Sequence, residues 1–170
     1  KAAIILGSPR KDEDKIRNSV FVLDQGKILS FRDKHNLPNT GVFDEQRIFT
    51  PGSLSGPVKI RETLIGLPIC EDIWYPDVIE YMVKEGARII ISPNGSPYSR
   101  GKVQLRHKLA ALRAKENKIP LIYLNLVGGQ DDQVFDGGSF VVEKNGKILY
   151  AMPQFEEATS IVEFNNGIIH

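Results

Sequence analysis

The chain has 170 residues, 41% hydrophobic and 25% charged, and its 22 basic and 21 acidic side chains leave a formal net charge of +1. That length supports one domain with its own core, and the balance of charge argues against nucleic acid or an anionic membrane as partner. No apolar run approaches the roughly 20 residues of a membrane-spanning helix, and a single cysteine excludes an internal disulfide, so a reducing cytoplasm is the expected compartment.

"AAIIL" (2–6) is a short apolar run before "GSPR" and predicts a buried strand. The chain opens on lysine, with that strand already under way, so residue 1 is expected to be an internal position of a longer polypeptide. "RKDEDKIR" (10–17) reads as a solvated charged loop. "SVFVLDQGKILSF" (19–31) reads as a hairpin turning at Asp24–Lys27. Residues 34–57 are dense in Pro, Gly and Asn and predict a long irregular segment, a place where function often resides.

From residue 63 the pattern changes. "TLIGLPIC" (63–70) predicts a strand. "PDVIEYMVKEGA" (76–87), with Pro first and Gly86 near its end, predicts a helix. "RIIISP" (88–93) is a strand. Residues 101–118 form the longest helix, with Leu105, Leu109 and Leu112 on one face. "PLIYLNLVG" (120–128) is a strand, 138–151 a hairpin around Asn145-Gly146, and "EATSIVEF" (157–164) a last strand. Alternating strands and helices imply βαβ units, and the hairpins add antiparallel character. The expected fold is a layered α/β fold with mixed sheets.

Cys70 is the candidate for chemistry. A lone cysteine after an apolar strand is more often core packing than nucleophile. Its place at a strand end just before a helix raises the second possibility, because chemistry collects there in α/β folds. A nucleophilic cysteine needs a base and a stabiliser for the developing oxyanion. Histidine offers little: His170 is terminal, His107 reads as part of a solvated helix face, and His35 is a weak candidate beside Lys34. A carboxylate–lysine arrangement is the other option, and the 34–49 segment supplies Lys34 and Glu45.

Four stretches, "DKHNLPNTGVFDEQRIF" (33–49), "LPICEDIW" (67–74), "SPNGSPYSRGK" (92–102) and "VGGQDDQVFDGGSF" (127–140), resemble the nitrilase, or carbon–nitrogen hydrolase, superfamily. The runs around "VFDE" and "GGQD" are similar to its glutamine-hydrolysing branch, found in glutamine-dependent NAD synthetases. The resemblance implies a nitrilase-like α-β-β-α sandwich. It makes residues 1–170 one carbon–nitrogen hydrolase domain that lacks its first segment. It implies Cys70 as nucleophile, Lys34 as catalytic lysine and Glu45 as that lysine's support. It implies glutamine contacts from Glu71, Ser96, Lys102 and position 40, where Thr40 replaces the tyrosine common in the family. The family's general-base glutamate falls in an earlier segment. Glu13, the only glutamate near the start, reads as surface.

L-Glutamine is the implied substrate, with no cofactor or metal in this domain. The synthetase domain of the same polypeptide is the implied partner. Its expected ATP and Mg lie beyond residue 170, because no phosphate-cradling run occurs here; Gly128-Gly129 lacks that pattern. A homo-oligomer is expected. The competing readings are a stand-alone amidase for another small amide and a non-catalytic interaction domain.

Overall fold

A computed structural model describes residues 2–165 and 167–169; Lys1 and His170 lie outside the described residues. Three strands open the chain: β1 (Ile4–Asp12), β2 (Lys15–Asp24) and β3 (Lys27–Asp33), paired antiparallel in that order. An irregular stretch follows, broken by the one-turn helix α1 (Glu45–Ile48). The second sheet has six strands in the order β11-β10-β7-β6-β5-β4. Its strands are β4 (Val58–Ile60), β5 (Thr63–Gly66), β6 (Ile89–Asn94), β7 (Leu121–Asn125), β10 (Phe140–Val142) and β11 (Ile148–Ala151). The pairs β5–β6 and β6–β7 are parallel and the outer pairs antiparallel, so the sheet is mixed. Helices α2 (Asp77–Lys84) and α3 (Lys102–Asn117) are the two crossovers. Two small hairpins complete the chain: β8 (Val127–Gln130) with β9 (Gln133–Asp136), and β12 (Phe164–Asn165) with β13 (Ile168–Ile169).

Strand alternation sorts the core into two faces. Ile90, Leu121, Tyr123 and Phe140 point to the helices and meet Val78, Ile79, Met82, Ala110 and Ala114. The opposite face receives Val20 and Val22 from the first sheet, together with Leu67 and Ile69. The layers are therefore helices, six-stranded sheet and three-stranded sheet. Helix α2 stops where the chain turns left-handed at Gly86 (φ 98°), whose N–H bonds to Val83 O at 2.9 Å.

Several expectations need correction. The 2–6 run is a strand, but Ile4 and Leu6 are exposed, because only the alternate positions of that sheet face the core. The 10–17 segment is the tip of the β1–β2 hairpin, not a loop. Its charges pair across strands: Arg10 bonds both oxygens of Asp33 (3.1 and 2.7 Å), and Arg17 bonds Asp12. Glu13 is the exposed turn residue there, as expected. The face of α3 that packs on the sheet carries Arg106, Ala110, Arg113 and Ala114, while Leu105 and Leu112 point outward. The alanines let the helix lie close, and the arginines bury their stems. His107 is not on a solvated face; it is half-buried, edge-on to Phe140 with centroids 4.4 Å apart. Residues 157–163 form no strand: only Val162 and Phe164 reach the core, and pairing begins at Phe164.

Candidate active site

Strand β5 ends at Gly66, and Cys70 opens a single 3-10 turn, Cys70–Ile73. Cys70 sits at φ 44°, a left-handed conformation that costs a non-glycine residue energy and recurs at functional positions. The turn closes with Asp72 N–H on Ile69 O (3.0 Å), so that N–H is not free for a ligand.

Lys34 follows directly on β3 and is 1% exposed. Its backbone is held on both sides: its N–H bonds Asn18 O, and its O accepts from Gly52 N–H, both at 2.7 Å. Its Nζ meets Glu45 Oε1 at 2.7 Å. Asn18 Nδ2 bonds the other oxygen of Glu45 at 3.3 Å. The carboxylate thus has a fixed orientation at the first residue of α1, where a negative charge suits the helix start.

Cys70, Lys34 and Glu45 line one hollow of about 490 Å³ with Asn18, Phe43, Gly95 and Phe135. Burial pushes the Cys70 thiol up from its ordinary value, and Lys34 opposes that shift. At neutral pH the resting group is therefore the thiol. An adjoining hollow of about 530 Å³ shares Phe43 and is lined by Thr40, Glu71, Trp74, Tyr98, Lys102 and Asp132 among others. Burial raises the Glu71 carboxyl, while Lys34 and Lys102 pull it back. The Lys102 ammonium lies over the Trp74 ring, 4.8 Å from its centroid.

Of the seven residues the sequence singles out, the structure brings six into these two hollows. Ser96 is not among them. It is buried behind Gly95, with its hydroxyl accepting from Arg106 Nε at 3.1 Å and its N–H bonded to Asn125 Oδ1 at 2.9 Å. His35 holds the loop instead of serving chemistry: Nδ1 contacts Gly52 O at 2.7 Å. The sequence reading missed Asn18, Trp74 and the Arg32–Asp72 pair. Asp72, beside Cys70 in "CED", was the visible signal; Asn18 had none, since only strand pairing brings it to Glu45.

A cysteine at positive φ and an enclosed lysine–glutamate pair thus share one hollow, where an antiparallel sheet stacks on a mixed one. The carbon–nitrogen hydrolase family model matches residues 1–169. This chain belongs to that family. It is 44% identical over 165 residues to the glutamine-dependent NAD(+) synthetase of Rhodobacter capsulatus, covering 97% of this chain and 30% of that protein. The glutamine-dependent NAD+ synthetase of Acinetobacter baumannii superposes with a TM-score of 0.93 at 36% identity, covering 98% of this chain and 32% of that one. A mutant of the amidase from Nesterenkonia sp. AN1, described with acrylamide added at its active-site cysteine, gives a TM-score of 0.78 at 25% identity, covering 89% and 59%. The resemblance to NAD synthetases read from the motifs is borne out, and the chain spans about 30% of the length of such relatives.

Proposed function

We propose that this chain is the glutaminase portion of a glutamine-dependent NAD synthetase, hydrolysing L-glutamine to glutamate and ammonia. One observation carries the reading: Cys70, Lys34 and Glu45 share a hollow, and Glu71 and Lys102 line the next one. The Cys70 sulfur attacks the side-chain carboxamide carbon, and its proton passes to a general base. Burial keeps the thiol protonated, so that base must act during attack. Glu45 is already committed to Lys34, and the base in this reading is the glutamate that the family resemblance places upstream.

The oxyanion is stabilised by the Lys34 ammonium and the Glu71 N–H, each such donor being worth about 3 kcal/mol. The tetrahedral intermediate expels ammonia, which takes the proton back from the base and leaves a thioester; water then releases glutamate. Glu71 receives the substrate α-ammonium, and Lys102 its α-carboxylate, with Thr40 on the rim. Ser96 supports the Gly95 wall from behind. The ammonia serves ATP-dependent amidation of nicotinic acid adenine dinucleotide in a synthetase domain of the same polypeptide, where ATP and Mg bind. We place the protein in the cytoplasm as a homo-oligomer. Among the described residues no helix is long and apolar enough to cross a membrane.

The test is incubation of the full-length polypeptide with glutamine and with an electrophilic glutamine analogue. Expected are equal amounts of ammonia and glutamate, and one analogue adduct on Cys70 that excess glutamine prevents. Cys70→Ala is expected to lower turnover by about 10³ or more with the fold intact. Ammonia release that survives Cys70→Ala overturns the reading. A preference for short aliphatic amides over glutamine transfers the activity to the stand-alone amidase class.

A further inference from the structure

Cys70 and Lys34 reach the site from separate parts of the chain, one on a 3-10 turn and the other at the end of a strand. Asp72 joins the two. Its carboxylate is 0% exposed. Oδ2 accepts the N–H of Ile69, the residue before Cys70, at 3.0 Å. Oδ1 accepts the N–H groups of His35 (3.1 Å) and Asn36 (2.7 Å), the two residues after Lys34. Arg32, two residues before Lys34 and itself buried, adds Nη1 to Oδ2 at 3.1 Å.

We infer that Asp72 is a positioning residue for the cysteine chemistry: one enclosed carboxylate clamps the Lys34 loop against the Cys70 turn and so sets how far the ammonium stands from the sulfur. This rests on the reading of Cys70 and Lys34 as the reacting pair.

Four donors converge on Asp72 from two sides. Only a carboxylate has acceptors facing both ways. An asparagine serves one side and turns its NH2 toward donors on the other. The neighbouring acids of "CED" thereby divide the work: Glu71 faces the substrate hollow, and Asp72 faces inward. Arg32 offsets the buried negative charge, although its Nε and Nη2 have no hydrogen-bond partner among the described residues. A pair built for stability alone gains little from such an arrangement. A clamp that must stay ionised does need the compensating charge.

The clamp predicts a sign that simple electrostatics does not. Lys34 favours the Cys70 thiolate, whereas Glu71, Glu45 and Asp72 oppose it. Removing the Asp72 charge, taken alone, makes the thiol easier to ionise. Displacing Lys34 makes it harder. In the full-length polypeptide, Asp72→Asn is compared with wild type by the pH profile of Cys70 alkylation with iodoacetamide, and by glutamine turnover per reactive Cys70.

The expected result is an alkylation midpoint at higher pH. With it, kcat falls about 10- to 100-fold, and KM for glutamine changes by less than about threefold. A midpoint that is unchanged or lower overturns the proposal, as does wild-type kcat per reactive Cys70. Should circular dichroism show Asp72→Asn unfolded, Arg32→Lys conserves the charge and isolates displacement. The same upward shift, smaller in size, is then expected, and a coincident profile overturns the clamp. If wild type releases no ammonia from glutamine, the glutaminase reading fails separately, and the alkylation profiles still decide the role of Asp72.

Discussion

An enclosed ammonium needs a carboxylate within reach, and Lys34 has one at 2.7 Å. Glu45 keeps a 17% exposed side chain, so it can be hydrated if the lysine is lost. Lys34→Met is therefore expected to cost less than the roughly 3–5 kcal/mol of a fully buried broken pair. Its effect on chemistry is larger: kcat for glutamine falls about 10²–10³-fold while KM holds, as for loss of one oxyanion donor. Steady-state kinetics beside a urea melt separates the two. Glu71→Gln should do the reverse. Its KM rises about tenfold or more, because the substrate ammonium loses a charged acceptor.

Stability responds to Glu71→Gln in the opposite direction. Burial raises the Glu71 carboxyl, so the folded protein favours its protonated form. Stability from this group is present at low pH and is lost as pH rises through the raised value. Gln carries no such loss, so the variant should melt higher than wild type at neutral pH and converge with it in acid. A lower melting temperature at neutral pH refutes this account. The candidate residues were easy to pick out because "CED", "VFDE" and Lys34 lie in short runs, and Cys70, Lys34 and Glu45 do line one hollow. What the runs hide is direction: Glu71 and Asp72 are adjacent in sequence, and only the 3-10 turn sends one to the hollow lined by Lys102 and Trp74 and the other to Arg32.

Among the elements, the loop after β3 owes its path to one close approach. A Cβ on Gly52 would stand 2.6 Å from Asp33 Cβ and 2.8 Å from Asp33 O, and Gly52 N–H bonds Lys34 O. Gly52→Ala must push residues 33–34 away from the loop. The expected cost is about 1–3 kcal/mol of stability, as for other overpacking, with reduced glutamine turnover even in the folded fraction. Retention of full turnover per folded molecule would dissociate Gly52 from the lysine. The elements themselves were legible to different degrees. Helix α2 and the 138–151 hairpin follow from Pro76, Gly86 and Asn145-Gly146, whose effects are local. The β1–β2 hairpin was missed because its tip is charged, and those charges become strand residues only when Arg10 and Arg17 find Asp33 and Asp12 across the ladder. The leucine stripe of α3 misled for a related reason. Leucine at helical spacing normally marks the core, but here two buried arginines with partners elsewhere in the chain set the rotation of the helix.

At the scale of the whole molecule, one of those arginines ties the helical layer to the segments around the Cys70 hollow. Arg106 of α3 meets both oxygens of Asp136 at the end of β9 (2.8 and 3.0 Å), and it also bonds Ser96 Oγ, Ser96 O and Pro97 O. Helical layer, β8–β9 hairpin and the loop after β6 thus share one guanidinium, and that loop supplies Gly95 to the Cys70 hollow. Arg106→Met leaves Asp136 buried without its counter-ion, and the expected loss is about 3–5 kcal/mol by urea denaturation. Arg106→Met combined with Asp136→Asn removes the stranded charge and should recover part of that loss. The cycle should give a coupling of about 1 kcal/mol or more. Additive single losses would mean that α3 and the β8–β9 hairpin hold together without this pair. The activity of the double variant carries the second half of the prediction. With the charge problem relieved but the guanidinium bonds to Ser96 and Pro97 still gone, the loop is held from behind by Asn125 without Arg106. Glutamine turnover should therefore stay below wild type even where stability has returned.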